Sequence, residues 1–116
     1  MALRSPFWSA NLRLQKAADN KPPMRQNEPD KAAVTLLQQA IVNTGIAVIK
    51  VDGAYGPKSA AAVREVQKKF NMTQDEGSAG RQSLGILDIL LQNGKVGSDL
   101  ARTDTVLAGQ KVQAAI

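Results

Sequence analysis

This chain of 116 residues contains no histidine and no cysteine. Without cysteine there is no disulfide framework and no thiolate nucleophile. Without histidine the commonest general base and the commonest metal ligand are missing, and with them every Ser-His arrangement. A zinc amidase or zinc peptidase is excluded on that ground. We therefore expect no catalytic residues, no metal and no cofactor. Aromatic residues are also scarce, at 3%: Phe7, Trp8, Tyr55 and Phe70. The core must be built from leucine, valine, isoleucine and alanine. No apolar run approaches the roughly 20 residues that span a bilayer as a helix. Residues 1–8 hold no uninterrupted apolar stretch of the kind that drives secretion.

What is present begins with a glycine-punctuated turn, Val51-Asp52-Gly53-Ala54-Tyr55-Gly56-Pro57-Lys58-Ser59. Pro57 suits the first position of a helix, where its missing N–H costs nothing. Asp52 is a turn residue by preference, because its short side chain reaches nearby backbone N–H groups. A shorter echo follows at Glu76-Gly77-Ser78-Ala79-Gly80-Arg81-Gln82-Ser83. Both turns lead into segments whose apolar residues recur at helical spacing.

The periodicity predicts three main helices, over residues 30–44, 57–70 and 81–92. The first is capped by Asp30 and stopped by Gly45. Its inward positions are Val34, Leu37 and Ile41. Val63, Val66 and Phe70 face inward on the second, and Leu84, Leu87 and Leu91 on the third. Residues 46–51 form a β-branched run too short for a helix, readable as an extended segment or a lone strand. A short helix over residues 9–20, capped by Ser9 or Asn11, precedes a Pro-rich linker at residues 21–29. A helix from Thr105 is plausible in the tail. The expected architecture is all-α. It is a compact three-helix bundle with glycine-rich connecting loops, a helical N-terminal arm (1–29), a central domain (30–93) and a C-terminal tail (94–116).

These motifs resemble the small three-helix peptidoglycan-binding domain of bacterial and phage cell-wall proteins. The resemblance covers residues 30–92. It rests on Val34, Leu37, Gln38, Ile41 and Gly45; then Asp52, Gly53, Tyr55, Gly56, Pro57, Ser59, Ala62, Val63, Val66 and Gln67; then Glu76, Gly77, Gly80, Ser83 and Leu87. Val66 stands where the family has phenylalanine, Glu76 replaces an aspartate, and Ser59 and Ser83 replace threonines. The resemblance implies a non-catalytic module that binds the cell wall and attaches a larger assembly to it. The alternative is a structural subunit of a phage tail, virion or contractile injection system that uses the same fold for docking on proteins. Either role places it at the bacterial wall, made in the cytoplasm and carried there with a particle.

Candidate ligand-binding residues under this reading are Asp52, Tyr55, Arg64, Gln67, Lys68 and Arg81. Asp52 is either an acceptor for glycan hydroxyls or simply a turn residue. Tyr55 either stacks on a sugar ring or plugs the core with its hydroxyl on the backbone. Arg64 and Lys68 stand four apart on the outer face of one helix and, with Arg81, form either a solvated surface or a patch for peptide-stem carboxylates. Gln38 and Gln67 look like amides that brace neighbouring loops, with a binding role for either as the other reading. Phe7, Trp8, Leu107, Val112 and Ile116 are candidates for docking the terminal segments, on this domain or on a neighbouring subunit. Nothing fixes a carboxylate pair among Asp52, Asp75 and Glu76, as glycoside hydrolysis requires. Net charge is +5, strongest where Arg4, Arg13, Lys16, Lys21, Arg25 and Lys31 outweigh Asp19, Glu28 and Asp30. That excess suits anionic partners. No helix clusters Arg, Asn and Gln for a DNA groove, so nucleic acid is not an expected partner, nor is membrane insertion.

Overall fold

The computed structural model describes residues 3–73 and 76–93. It contains four helices: α1 (Leu12–Ala18), α2 (Lys31–Asn43), α3 (Pro57–Lys69) and α4 (Arg81–Gln92). The start signals act as expected. Asn11, rather than Ser9, caps α1 by accepting the Leu14 N–H at 2.9 Å. Asp30 caps α2 by accepting the Ala33 N–H at 3.0 Å. Each satisfies one of the N–H groups that a first turn leaves without a partner. Gly45 ends α2 at φ 77, where a side chain would be strained. Residues 46–51 belong to no helix and no strand, with a bend at Ile46. The tail helix expected from Thr105 lies outside the described residues, as do Leu107, Val112 and Ile116.

Helices α2, α3 and α4 pack on one another, and α1 packs on α4. The core takes Val34, Leu37 and Ile41 from α2, Val63 and Val66 from α3, and Leu84 and Leu87 from α4, each at most 1% exposed. Phe70 and Leu91 also face inward, half-buried and packed against this core, and Leu90 is buried as well. A single stripe was expected on α4. Because α4 touches all three other helices, a wider arc of its surface is covered, taking in Ser83, Asp88 and Leu90.

The N-terminal segment is part of this core. Leu3, Trp8, Leu14 and Met24 are all 2% exposed or less. The buried carboxylate of Asp88 draws the segment in. It accepts the N–H groups of Arg4 and Ser5 at 2.9 and 2.8 Å and the Trp8 indole N–H at 2.8 Å. Trp8 is therefore an internal anchor and not a free docking residue. Phe7 is half-buried, packed against the core with its ring centroid 6.1 Å from that of Trp8. Gln15 closes the entry by exchanging two 2.9 Å hydrogen bonds with the backbone of Leu3.

The Pro-rich segment that follows is also tied down. Met24 and Ala79 exchange backbone hydrogen bonds, and the Asn27 N–H donates to the Tyr55 carbonyl. Arg13 forks onto Glu28 at 2.7 and 3.1 Å and donates to the Pro22 carbonyl. The Arg13 hydrogen bond holds the Glu28 carboxyl below its usual range.

Two glycines separate steric need from mere tolerance. Gly77 sits at φ 89, and a Cβ there would come 2.9 Å from the Ala60 carbonyl oxygen. Gly85 is inside α4, with nothing within 4 Å of an added Cβ. Gly77→Ala is expected to destabilise by about 1–3 kcal/mol. Gly85→Ala should instead stabilise by about 0.5–1 kcal/mol, because alanine loses less backbone entropy in a helix. Thermal unfolding of the two variants checks this, and equal shifts would contradict the geometry.

Candidate functional site

The region around the first glycine turn is built from one buried amide. Gln38, 1% exposed on α2, accepts the backbone N–H groups of Asp52 and Gly53, both at 2.9 Å. Its amide nitrogen lies 3.0 Å from the Ala54 carbonyl, 2.9 Å from the Ser59 hydroxyl and 3.1 Å from an Asp52 carboxylate oxygen. The same carboxylate oxygen accepts the Ala54 N–H at 3.0 Å, closing a tight turn on Gly53 at φ 76. That N–H, followed by the Gln38 amide, holds the Asp52 carboxyl below its usual range.

The second turn repeats the design. Gln67 on α3 accepts the Gly77 N–H at 2.9 Å and donates to the Ser78 carbonyl and the Ser83 hydroxyl at 2.9 and 3.0 Å. Ser59 and Ser83 each stand three residues after the glycine that opens their helix. Tyr55 then joins the two turns. Its hydroxyl donates to the Gly77 carbonyl at 2.6 Å. Burial pushes the tyrosine pKa up, so the hydroxyl remains a donor.

Beside the first turn the surface opens into a cleft of about 480 Å³. Ile49, Lys50, Asp52, Pro57 and Lys58 line it, with Gln38 and Ser59 reaching into the lining. A second groove of about 480 Å³ adjoins it between residues 47–50 and the face of α3 that carries Ala61 and Glu65. The two share Ile49, Lys50 and Lys58. The first turn of α3 opens on the cleft, so the partial positive charge of a helix start adds to the two lysines. The result is an apolar trough with two ammonium groups, Lys50 and Lys58, and two carboxylates, Asp52 and Glu65, at its rim.

The sequence-derived candidates do not gather here. Asp52 alone lines the cleft. Tyr55 is 3% exposed and Gln67 fully buried. Neither presents a surface to a ligand, so the stacking role for Tyr55 and the binding role for Gln67 give way to structural ones. The reason is shared: the second turn must be fastened to the first, and these two side chains do it. Arg64 is exposed but runs along the second turn, its guanidinium 3.2 Å from the position of a Cβ on Gly77. Lys68 is exposed further along α3. Arg81 is exposed at the start of α4, its backbone N–H donating to the Asn20 side chain.

Lys50 and Lys58, absent from the candidates, are the cations of the cleft. A signal for them exists in the chain: they bracket the Asp-Gly-Ala-Tyr-Gly-Pro turn, Lys50 two residues before its aspartate and Lys58 directly after its proline. Among the described residues no group of three acidic, histidine or cysteine side chains is placed to hold a metal ion. No helix among them is long and apolar enough to cross a membrane.

One family model matches the chain. Its description reads "Putative peptidoglycan binding domain", and it covers residues 30–87. Both bracing glutamines, both turns and the whole cleft lie inside that stretch, whereas Trp8 and Asp88 lie outside it. No curated protein and no solved structure matches.

Proposed function

Because this chain belongs to the peptidoglycan-binding domain family, we propose that it holds the bacterial cell wall, without cutting it, through the cleft between residues 49–52 and the start of α3. The observation that carries this reading is the cleft itself. It lies within the family segment, its walls are braced by Gln38, and its rim presents Lys50, Lys58 and Asp52 to solvent. Lysines of this kind suit an anionic polymer, and a carboxylate held ionised suits hydroxyl and amide donors. The module serves to fasten a larger assembly to the wall, reaching it with that particle.

Co-sedimentation of the full chain with purified sacculi at low salt tests the proposal. The wild-type protein is expected in the pellet. Lys50→Glu/Lys58→Glu should reduce the bound fraction about tenfold, because exposed charge contacts are each worth up to about 1 kcal/mol and reversal makes them repulsive. Both side chains are exposed, so the variant keeps its fold. Unchanged pelleting of the variant would remove the cleft from the mechanism.

A further inference from the structure

We propose that the cleft takes the peptide stem of the wall polymer, as an extended chain with free carboxylates, and not its glycan; this rests on the wall-binding reading above. Three observations carry it. Residues 47–50 line the groove outside any helix or strand, and among the described residues their backbone N–H and C=O groups have no hydrogen-bond partner. The side chains of residues 47–51 alternate: Ala47, Ile49 and Val51 are half-buried, while Val48 and Lys50 point to solvent, Val48 being 93% exposed. This is an open edge onto which an extended peptide adds by main-chain hydrogen bonding.

Charge is the second observation. Lys50 and Lys58 line both halves of the trough, whereas each half has only one carboxylate, Asp52 in the first and Glu65 in the second. They flank the edge where the carboxylates of a short peptide would fall, and the apolar wall of Ile49 and Ala61 suits small methyl side chains. The third concerns aromatics. Sugar rings are commonly seated on an exposed aromatic face, which meets their C–H groups. Here Trp8 and Tyr55 are inside the core, and neither Phe7 nor Phe70 lines the cleft. The opening at the second turn is smaller, about 180 Å³, and is lined by Arg25, Gln26, Ala60, Glu76, Gly77 and Ser78. The Met72 sulfur lies 3.8 Å from the Ser83 hydroxyl, and the Gln82 amide donates to the Thr73 hydroxyl.

The test titrates the full chain with three probes, followed by amide chemical shifts and calorimetry. They are a synthetic stem pentapeptide with free carboxylates, the same peptide with those groups converted to carboxamides, and a peptide-free disaccharide of the wall polymer. We expect the acid peptide to shift the amides of residues 47–50 and 58. The carboxamide form should bind about tenfold more weakly, the worth of two exposed charge pairs. Lys50→Gln/Lys58→Gln should erase that difference. Shifts produced by the disaccharide, or equal affinity for both peptides, would overturn the inference. Sacculi stripped of their stems by an amidase separate the two levels. Retained pelleting on stripped sacculi leaves wall binding standing and sinks the stem assignment. Failure on intact sacculi sinks both.

Discussion

Trp8→Ala is expected to destabilise the protein by about 3–5 kcal/mol, the range for deleting a large buried aromatic. Trp8 is 1% exposed, and its indole N–H satisfies one oxygen of the buried Asp88 carboxylate. The alanine variant loses the ring's packing and also leaves that oxygen one donor short. At about 4–8 °C per kcal/mol for a domain of this size, the melting temperature should fall by roughly 15 °C or more. Trp8→Phe keeps most of the bulk and loses the donor, so it should cost about 1–3 kcal/mol. Thermal and urea unfolding of the two variants check the order. A Trp8→Ala shift below about 1 kcal/mol would mean that the N-terminal segment is not part of the cooperative unit.

The same geometry predicts the behaviour of the family segment cut out alone. Removing residues 1–29 takes Leu3, Trp8, Leu14 and Met24 from the core and strips Asp88 of its N-terminal donors. It also opens the pairing of Met24 with Ala79 beneath the second turn. Asp88 then keeps only the Gln92 amide as a donor, and a buried carboxylate that loses most of its partners is strongly unfavourable. Binding measurements therefore belong on the full chain.

Gln38→Met is the second large effect, expected at about 3–4 kcal/mol. Methionine is close to glutamine in shape, so little cavity is created. What is lost is the accepting oxygen for the Asp52 and Gly53 N–H groups and the donor for Ala54 and Ser59. Each buried group left without a partner costs about 1–3 kcal/mol. Part of the loss is relieved where the turn moves out to water, and then the cleft loses its wall. Stability and sacculus binding should fall together in this variant, whereas Lys50→Glu/Lys58→Glu should lose binding alone. Denaturant unfolding beside co-sedimentation separates the two patterns. A Gln38→Met protein within about 1 kcal/mol of wild type would show that the turn holds itself.

The sequence by itself determined where the three main helices begin and end to within one residue, the two glycine turns and the family, while the first helix, expected over 9–20, is shorter at Leu12–Ala18. Asn11, Asp30, Gly45 and Pro57 act on groups within a few residues of themselves, so their effect is written locally. The stripes Val34-Leu37-Ile41 and Leu84-Leu87 are legible for the same reason, since a helix repeats its face every few residues. Tyr55 marked the limit, because its residue type fits a sugar face and a core plug equally well. Only the tertiary structure decided between them, by bringing the Gly77 carbonyl to its hydroxyl. It likewise decided that Asp88, outwardly a solvent position on an amphipathic helix, is buried. Its donors Arg4, Ser5 and Trp8 lie 80 to 84 residues away in the chain. The pairing of Lys50 with Lys58 across one cleft is of the same kind. A periodic pattern records which face of its own helix is apolar. It holds no record of which distant segment will cover that face, and that covering set both the core and the site.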